Sequence, residues 1–292
     1  MAQAFAPAKV NLFLHVGAPA ADGYHPICSL MAFADIGDRL ETQESEDFVL
    51  RVRGPFAQGL DAGEGNLVTR AIRAFVVDAG RPVAPLGFTL DKQLPVASGL
   101  GGGSSDAGAA LRLLAADTAA NFPEARLEAI AASLGADGAA CLWGRPVLAE
   151  GRGERLSPAP ALPRLDAVLV NAGVPVSTPE VYRRLDASGA FGDVTPPPMP
   201  DAFEDVHEVA AWLALQRNDL EAPAVAVAPD VGAVLATLRD EPEALIARVS
   251  GSGGTCFALC DDDIAAESLA ERIEGLAPHW WVRRCRLGGP WD

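Results

Sequence analysis

The amino-acid sequence predicts an α+β protein of two domains. The chain has 292 residues, which is long enough for two packed domains of ordinary size. Apolar residues alternate with other residues from position 10 to position 16, as they do in a strand with one firmly buried side. A glycine-rich segment at 99–103 leads into residues 107–116, which are good helix formers. Both kinds of element therefore occur in one chain.

In the first half, the strand that includes Lys9 places Lys9 and Asn11 on the same face, about 6.6 Å apart. A turn is predicted at residues 22–23. The other predicted elements of this half are a largely apolar stretch at 27–36, a helix at 66–78, a short strand at 88–90 and a helix at 127–134. Residues 151–164 are rich in glycine and proline, so we expect the domain boundary there, with domains at 1–156 and 157–292.

The second half opens with a predicted strand at 167–171. A helix is expected to begin near Ser177, with proline in its first turn and a capping box formed by Ser177 and Glu180. Residues 186–205 are proline-rich and are interpreted as a loop insertion without packing of its own. The last predicted elements are a serine- and glycine-rich turn at 250–254, the buried strand that follows it, and a strand at 282–287.

Composition excludes several classes of protein. The formal net charge is −16, whereas a protein that binds nucleic acid with its whole surface needs the opposite sign. The N-terminus does not resemble a signal peptide, and no apolar run approaches about 18 residues, so we expect no membrane span. The five cysteines form no Cys-x-x-Cys pair and are expected to be buried free thiols in the cytoplasm. The four histidines show no paired ligand spacing, which argues against a structural metal.

The glycine-rich segment is the strongest functional signal. Glycines let the backbone approach a ligand closely, and a helix that starts after them directs its N–H groups and positive dipole end at an anion. No lysine follows the glycines, so the segment is not a Walker loop. Ser104 occupies the last glycine place of a dinucleotide-binding fingerprint. Two interpretations stay open: a phosphate-binding loop of another kind, or a flexible hinge before a helix capped by Ser104.

Three ordered motifs identify a more specific resemblance. Residues 7–12 (PAKVNL), 99–106 (GLGGGSSD) and 250–254 (SGSGG) resemble the motifs of the kinase superfamily named for galactose, homoserine, mevalonate and phosphomevalonate, the GHMP kinases. Residues 22–26 (DGYHP) and 134–137 (LGAD) resemble one family within it, the non-mevalonate isoprenoid kinases that phosphorylate a hydroxyl of 4-diphosphocytidyl-2-C-methyl-D-erythritol to the 2-phosphate. The resemblance runs from residue 7 to about residue 259 and is densest before residue 154.

This resemblance implies a two-domain GHMP-kinase fold, in which an N-terminal domain like domain 2 of ribosomal protein S5 precedes a ferredoxin-like C-terminal domain. It implies an ATP-dependent kinase located in the cytoplasm, with ATP as co-substrate, Mg²⁺ accompanying it and no tightly bound cofactor. The other substrate is a small molecule, the cytidine-diphosphate-linked polyol, and neither nucleic acid nor a membrane is a partner. Two rivals are a mevalonate- or homoserine-type kinase and a non-catalytic binding protein on the same scaffold.

The resemblance also assigns roles to individual residues. Asp137 is the candidate base, and Lys9 beside it favours the ionised carboxylate and contacts the transferred phosphoryl group. Without the motif, the simpler interpretation of Asp137 is a turn residue at the end of a helix. The substrate-binding candidates are Asn11, Tyr24, His25, Thr178 and Tyr182. The ATP-binding candidates are Asn66, Lys92, Pro95, Val96, Ala97, Ser98, Gly99, Leu100, Gly101, Gly102, Gly103, Ser104 and Ser105, and no residue is assigned to a metal.

Simpler interpretations stand beside some of these roles. Tyr182 has the spacing of a core residue of an amphipathic helix, and Thr178 that of a helix cap. Lone residues such as Lys92 and Asn66 are usually solvated. The segment 138–141 (GAAC) lacks the bulky residue, proline and aromatics usual in the family, which predicts a smaller wall beside the base. Ser252 replaces the usual threonine, and Asn171 stands where proline is common.

Overall fold

The computed structural model describes residues 2–80, 82–118 and 122–291, and one sheet runs through both halves of the chain. The strands are β1 (Ala2–Val16), β2 (Ile27–Glu44), β3 (Val49–Arg53), β4 (Leu86–Asp91), β5 (Val147–Gly151), β6 (Arg155–Pro158), β7 (Leu165–Asn171), β8 (Ile246–Val249), β9 (Thr255–Cys260) and β10 (Trp281–Gly288). The helices are α1 (Leu67–Ala79), α2 (Gly102–Asp117), α3 (Glu124–Leu134), α4 (Gly138–Trp143), α5 (Thr178–Ser188), α6 (Val206–Ala214), α7 (Glu221–Val227), α8 (Pro229–Asp240) and α9 (Asp263–Leu276).

The two halves of the sheet meet at the last strand. The strand order is β3-β4-β2-β10-β7-β9-β8, with β1 and β5 also paired to β2 and β6 paired to β5. Strand β10 pairs along its length with β7, and its end pairs with β2 through Leu287 opposite Ala34. The C-terminal strand therefore joins the N-terminal to the C-terminal part of the sheet. The boundary between residues 156 and 157 stays a prediction.

Strand β1 confirms the predicted strand and extends it to Ala2. The expectation that only one of its sides is buried is wrong, because Phe13 and His15 are as inaccessible as Val10. Helix α2 packs on this strand, and the ring of Phe13 meets Trp212 of α6 at 5.6 Å. The pairing register of β1 with β2 shifts between Pro7 and Lys9 and again after Asn11. Such bulges re-aim side chains, and here they flank Lys9 and Asn11.

The predicted helix at 66–78 is confirmed as α1, which Asn66 caps by accepting a hydrogen bond from the backbone N–H of Val68 at 2.9 Å. Helix α2 starts at Gly102, earlier than the sequence indicates. Its N-cap is Gly101, whose φ of +62° only glycine adopts readily, so the interpretation of Ser104 as the cap is wrong. Ser104 and Ser105 belong to the first turn of the helix.

Two expectations for the second half need correction. Helix α5 begins after Ser177, but the Ser177 side chain makes no capping hydrogen bond, so the predicted capping box does not form. The proline-rich loop is packed, since Val194 and Met199 contact the core and the Trp212 indole N–H donates to the carbonyl of Pro198 at 2.9 Å. Residues 152–158, in the stretch where we expect the domain boundary, form the turn and the second strand of the β5–β6 hairpin.

Burial of the sulfur atoms agrees with the prediction for the cysteines. All five cysteines, at positions 28, 141, 256, 260 and 285, are buried free thiols. Burial raises the pKa of the Cys141 thiol to about 12. Within the described part of the chain, no helix is both long and apolar enough to span a bilayer.

Candidate active site

A cleft of about 1370 Å³ lies between residues from the two halves of the chain. It brings together all the predicted site residues except one. Those that line it are Lys9, Asn11, Tyr24, His25, Asn66, Lys92, Pro95, Val96, Ala97, Ser98, Gly99, Leu100, Gly101, Gly102, Gly103, Ser104, Asp137, Thr178 and Tyr182. The exception is Ser105, which is fully buried beneath the first turn of α2. Its hydroxyl group does not reach the cleft.

The centre of the cleft is an ion pair between Lys9 and Asp137. Lys9 Nζ lies 3.3 Å from Asp137 Oδ2 and 2.5 Å from Asn11 Oδ1. Lys9 is buried, whereas the Asp137 side chain is 32% exposed and faces the cleft. The amide of Asn11 also donates to Ser29 Oγ at 2.8 Å. Both ends of that amide therefore hold protein partners, and Asn11 orients the lysine.

Asp137 occupies the turn between α3 and α4. It is the N-cap of α4, but its side chain makes no capping bond and points instead to Lys9. Gly138 packs so closely on α3 that a Cβ there would lie 1.9 Å from the carbonyl oxygen of Ala131. Residues 138–141 are buried in α4 behind the site. These residues are not among those that line the cleft, and Gly138 allows the close approach of the helices, so the smaller wall stays a prediction.

The glycine-rich loop packs backbone to backbone against the turn at 250–254. Gly99 has a φ of +78°, and a Cβ there would lie 2.4 Å from the carbonyl oxygen of Ser250. The Ser250 hydroxyl donates to the carbonyl of Gly99 at 3.1 Å and accepts from the backbone N–H of Asn11 at 3.3 Å. One buried serine thus connects the loop, β1 and the second half of the chain.

The start of α2 supplies the features of an anion site. The N–H groups in the first turn of a helix lack intrahelical partners, and the dipole is positive at this end. Gly102 and Gly103 carry no side chains that would cover these groups, and both line the cleft. Lys9 lies directly behind the loop, because a Cβ on Gly101 would be 3.1 Å from Lys9 Cε. The loop therefore places a backbone suited to an anion next to the Lys9–Asp137 pair.

Lys92 is buried beneath this loop, so the simpler interpretation of Lys92 as a solvated residue is wrong. Its Nζ lies 2.5 Å from Asp38 Oδ2 and 2.7 Å from Asp106 Oδ2. Asp38 also accepts from the backbone N–H groups of Gln93 and Leu94. Burial would lower the pKa of Lys92, but the two carboxylates outweigh it and the net shift is upward. The amine therefore supports the loop from below and is occupied by protein partners.

Burial raises the pKa of the Asp106 carboxyl to about 8, and the Lys92 ammonium offsets this only in part. The pKa of the same carboxyl in the unfolded chain is about 3.9. Between about pH 3.9 and about pH 8 the folded protein therefore binds one more proton than the unfolded chain. Stability from this group is therefore present at low pH and is lost as pH rises through about 8, by at most about 1.4 kcal/mol per pH unit.

Asp106→Asn tests this buried proton. Asparagine does not titrate, so the variant lacks this pH dependence. We expect the difference in free energy of unfolding, unsubstituted protein minus variant, to fall as pH rises from about 6 to about 9. Urea unfolding across that range measures the difference. A difference that stays constant with pH would contradict the protonated state of Asp106.

One face of α5 lines the opposite side of the cleft. Thr178, Tyr182 and Asp186 follow one another at intervals of four residues, which places them on the same face of a helix. The Thr178 hydroxyl lies 2.7 Å from the Ser252 hydroxyl instead of capping the helix, so the capping interpretation is wrong. Tyr182 both packs against the core and lines the cleft, and burial raises the pKa of its phenol to about 12.

Tyr24 and His25 lie on the loop between β1 and β2. The ring of Tyr24 is 59% exposed at the mouth of the cleft. His25 Nδ1 donates to the carbonyl of Gly17 at 2.8 Å, and its Nε2 lies 3.2 Å from Asp186 Oδ1. The His25 ring also contacts the ring of Tyr182, with the centroids 5.1 Å apart. These contacts place an aromatic group and polar groups around one end of the cleft.

Sequence reasoning missed several residues that line the cleft, and two of them, Asp186 and Arg152, contact the residues of this end. Asp186 was assigned to a loop, although its four-residue spacing from Tyr182 was a signal that it shares the face of that helix. Arg152 lies in the stretch assigned to the domain boundary, and its guanidinium stacks over Tyr24 with 4.2 Å between Cζ and the ring centroid. A turn flanked by glycines suits a hairpin as well as a linker, so nothing local marked Arg152.

Comparison with known proteins agrees with this arrangement. The family model for the GHMP kinases N terminal domain matches residues 66–145, and the model for GHMP kinases C terminal matches residues 201–278. A 4-diphosphocytidyl-2-C-methyl-D-erythritol kinase of Caulobacter sp. (strain K31) is 62% identical over 288 residues, covering 98% of both chains. One of Hyphomonas neptunium is 47% identical and covers 97% of this chain and 96% of its own length.

Solved structures give the same result. A crystal structure of 4-(cytidine 5'-diphospho)-2C-methyl-D-erythritol kinase superposes with a TM-score of 0.78 at 34% identity, covering 99% of this chain and all of the other. A homoserine kinase from Cytophaga hutchinsonii, 19% identical with a TM-score of 0.70, shares the fold and covers 98% of this chain and 94% of its own. The predicted two-domain GHMP-kinase fold is confirmed, and the chain belongs to the 4-diphosphocytidyl-2-C-methyl-D-erythritol kinase family.

Proposed function

We propose that this protein transfers the γ-phosphoryl group of ATP to a hydroxyl of 4-diphosphocytidyl-2-C-methyl-D-erythritol and forms the 2-phosphate. The observation that carries the proposal is the placement of the Lys9–Asp137 ion pair directly against the glycine-rich loop, inside one cleft. Family membership supports the same reaction, since relatives of up to 62% identity carry this kinase name. A binding protein without catalysis would have no use for a buried lysine beside a carboxylate that is about one-third exposed to the cleft.

ATP is the co-substrate, and its phosphates bind at the glycine-rich loop and the start of α2. The loop backbone and the Ser104 hydroxyl contact them, while Asn66 and residues 95–98 line the part of the cleft next to the loop. Lys92 contributes by supporting the loop, because its amine is held by Asp38 and Asp106. Ser105 is assigned no contact with ATP.

Magnesium arrives with ATP and neutralises charge between its phosphates. Within the described residues, no group of three His, Cys, Asp or Glu side chains forms a metal site. Magnesium in kinases keeps several waters and is held largely by substrate phosphates, so a single nearby oxygen donor suffices.

The chemistry at the substrate hydroxyl follows from the ion pair. Asp137 presents a carboxylate to the cleft, which accepts the hydroxyl proton as the oxygen attacks the γ-phosphorus. Lys9 places an ammonium group between that carboxylate and the loop, where negative charge develops on the transferred group. Asn11 holds the ammonium group in this position through its 2.5 Å contact.

The cytidine end of the substrate binds at the aromatic end of the cleft. Tyr24 offers an exposed ring face for the base, and Tyr182 lies on the facing helix. His25 and Thr178 provide polar groups beside them. A mevalonate or homoserine kinase needs no base platform, so these residues favour the cytidylated substrate. The unpaired cysteines suit a reducing compartment, and we assign the reaction to the cytoplasm.

A substrate comparison tests the proposal. Purified protein is given ATP and magnesium with the cytidylated compound, the cytidine-free polyol phosphate or mevalonate, and ADP release is measured. We expect turnover with the cytidylated compound alone. Turnover of mevalonate without turnover of the cytidylated compound would overturn the assignment and favour a mevalonate-type kinase.

Tyr24→Ala should raise the KM for the cytidylated substrate about five- to hundredfold, since stacking of a base on an aromatic ring contributes about 1–3 kcal/mol. The value of kcat and the KM for ATP should change little, because Tyr24 lies at the other end of the cleft from the glycine-rich loop. Tyr24→Phe keeps the ring and serves as the matched control. An unchanged KM in the alanine variant would remove Tyr24 from the cytosine site.

A further inference from the structure

The turn that joins β5 to β6, residues 151–154, overhangs the aromatic end of the cleft. At its tip, the Arg152 guanidinium stacks on the ring of Tyr24, with Cζ 4.2 Å from the ring centroid. Arg152 Nη2 also pairs with Asp22 Oδ2, two residues before Tyr24 in the same loop. The Arg152 side chain therefore contacts the Tyr24 loop in two places, through a cation–π contact and through an ion pair.

The other side of the turn is fixed to the segment that carries Asp137. Gly153 has a φ of +112°, and a Cβ there would lie 2.5 Å from the carbonyl oxygen of Ala136. The Glu154 carboxylate accepts from the backbone N–H of Arg152 at 2.6 Å, which closes the turn on itself. The turn is thus a short bridge between the residue before Asp137 and the loop that bears Tyr24.

Tyr24 needs such a support. Residues 17–26 form neither helix nor strand, and the Tyr24 ring is more than half exposed. A ring that moves freely loses conformational entropy when a base stacks on it, and this loss weakens binding. A guanidinium packed on one face of the ring removes part of that cost beforehand and leaves the rest of the ring accessible.

We propose that Arg152 is a positioning residue for substrate recognition, which pre-orders the Tyr24 ring for the cytosine base of the substrate. This inference rests on the proposed function, because it takes Tyr24 to be the base platform. Arg152 acts through Tyr24 and takes no part in phosphoryl transfer. The turn at 151–154 thereby links the geometry of the base platform to that of the Asp137 segment.

The first test separates binding from turnover. Arg152→Ala should raise the KM for the cytidylated substrate about two- to fivefold, the range expected for one cation–π contact at an exposed site, with kcat and the KM for ATP unchanged. Arg152→Lys keeps a cation and should recover part of the loss. Arg155→Ala is the matched control, because Arg155 belongs to the same hairpin, is exposed, and lies outside the cleft lining.

A double-mutant cycle shows whether Arg152 acts through the ring. If it does, adding Arg152→Ala to Tyr24→Ala should raise KM no further than Tyr24→Ala alone. Fully additive effects would show that Arg152 binds the substrate directly and would overturn the positioning role. An unchanged KM in the single Arg152 variant would overturn it as well.

A third measurement needs no turnover. The chain has only two tyrosines, so the ring signals of Tyr24 in ¹³C-tyrosine-labelled protein can be assigned with Tyr182→Phe. Arg152→Ala should lower the order parameter of the Tyr24 side chain in the ligand-free protein, and Arg155→Ala should not. Unchanged order would overturn this inference even if the kinase assignment held. Lowered order would uphold the support of Tyr24 even if the cytidylated compound were not turned over.

Discussion

Asp137→Asn should lower kcat at least about 100-fold, because asparagine cannot accept the proton of the attacking hydroxyl. The substitution preserves size and leaves the fold intact, since the Asp137 side chain makes no capping hydrogen bond and is about one-third exposed. The measurement is the steady-state rate at saturating concentrations of ATP and the cytidylated substrate. The KM values should move far less than kcat, since the loss falls on the transition state.

Asp186→Asn is the matched control for this prediction. Asp186 is a second carboxylate of the same cleft, but it lies beside His25, away from Lys9. We expect its substitution to change the KM for the cytidylated substrate and to leave kcat near its original value. Near-normal kcat in Asp137→Asn would contradict the role of Asp137 as proton acceptor and leave Lys9 as the group that acts on the phosphates.

Lys9→Met should also lower kcat, by about 100- to 1000-fold, which is typical for the loss of one pre-oriented group that stabilises transition-state charge. Methionine has nearly the length of lysine and fills the same buried position, so thermal unfolding should stay cooperative. Lys9→Arg should not restore the rate, because the larger guanidinium does not fit behind Gly101. The space there is narrow, since a Cβ added to Gly101 would lie only 3.1 Å from Lys9 Cε.

The two residues should act as a unit. The 3.3 Å contact joins them, so the double variant with Asp137→Asn and Lys9→Met should be about as slow as the slower single variant. Single-turnover rates measure this without interference from product release. Losses that multiply fully in the double variant would contradict the account of a coupled pair.

Local patterns predicted the elements of the site well. The alternation along β1 placed Lys9 and Asn11 on one face, and the 2.5 Å contact between their side chains confirms it. Residues 66–78 and 282–287 showed the periodicity of the elements that they form. Each of these predictions depends only on neighbours in sequence, where a hydrophobic period reports directly on which side is buried.

Features that depend on distant residues were not predictable. The role of Lys92 as a support beneath the loop was not predictable, because nothing in its neighbourhood in sequence shows that Asp38, 54 positions earlier, lies 2.5 Å from its amine. The start of α2 was misplaced because several successive glycines can each adopt a positive φ. The packing of Gly99 against Ser250 and of Gly101 against Lys9 accompanies the two that do. Because α2 begins at Gly102, Ser105 belongs to its first turn, where it is buried.

Two further sequence patterns, the glycines around Arg152 and the prolines at 196–198, were each compatible with more than one structure. The glycines around Arg152 permit a linker or a tight hairpin, and the pairing of β6 with β5 selects the hairpin. The prolines at 196–198 suggested an unpacked insertion, yet Trp212 donates to this segment from another helix. Motif resemblance supplied what periodicity could not, namely the family and the set of residues that meet in the cleft, and the comparisons confirm the family.

The most direct test of the central claim is a crystal structure of the protein with a non-hydrolysable ATP analogue, magnesium and 4-diphosphocytidyl-2-C-methyl-D-erythritol. We predict that the phosphates lie on the glycine-rich loop and that the substrate hydroxyl oxygen lies about 2.6–3.2 Å from the Asp137 carboxylate, in line with the γ-phosphorus. A substrate bound with no hydroxyl within reach of Asp137, or with its base away from Tyr24, would contradict the account.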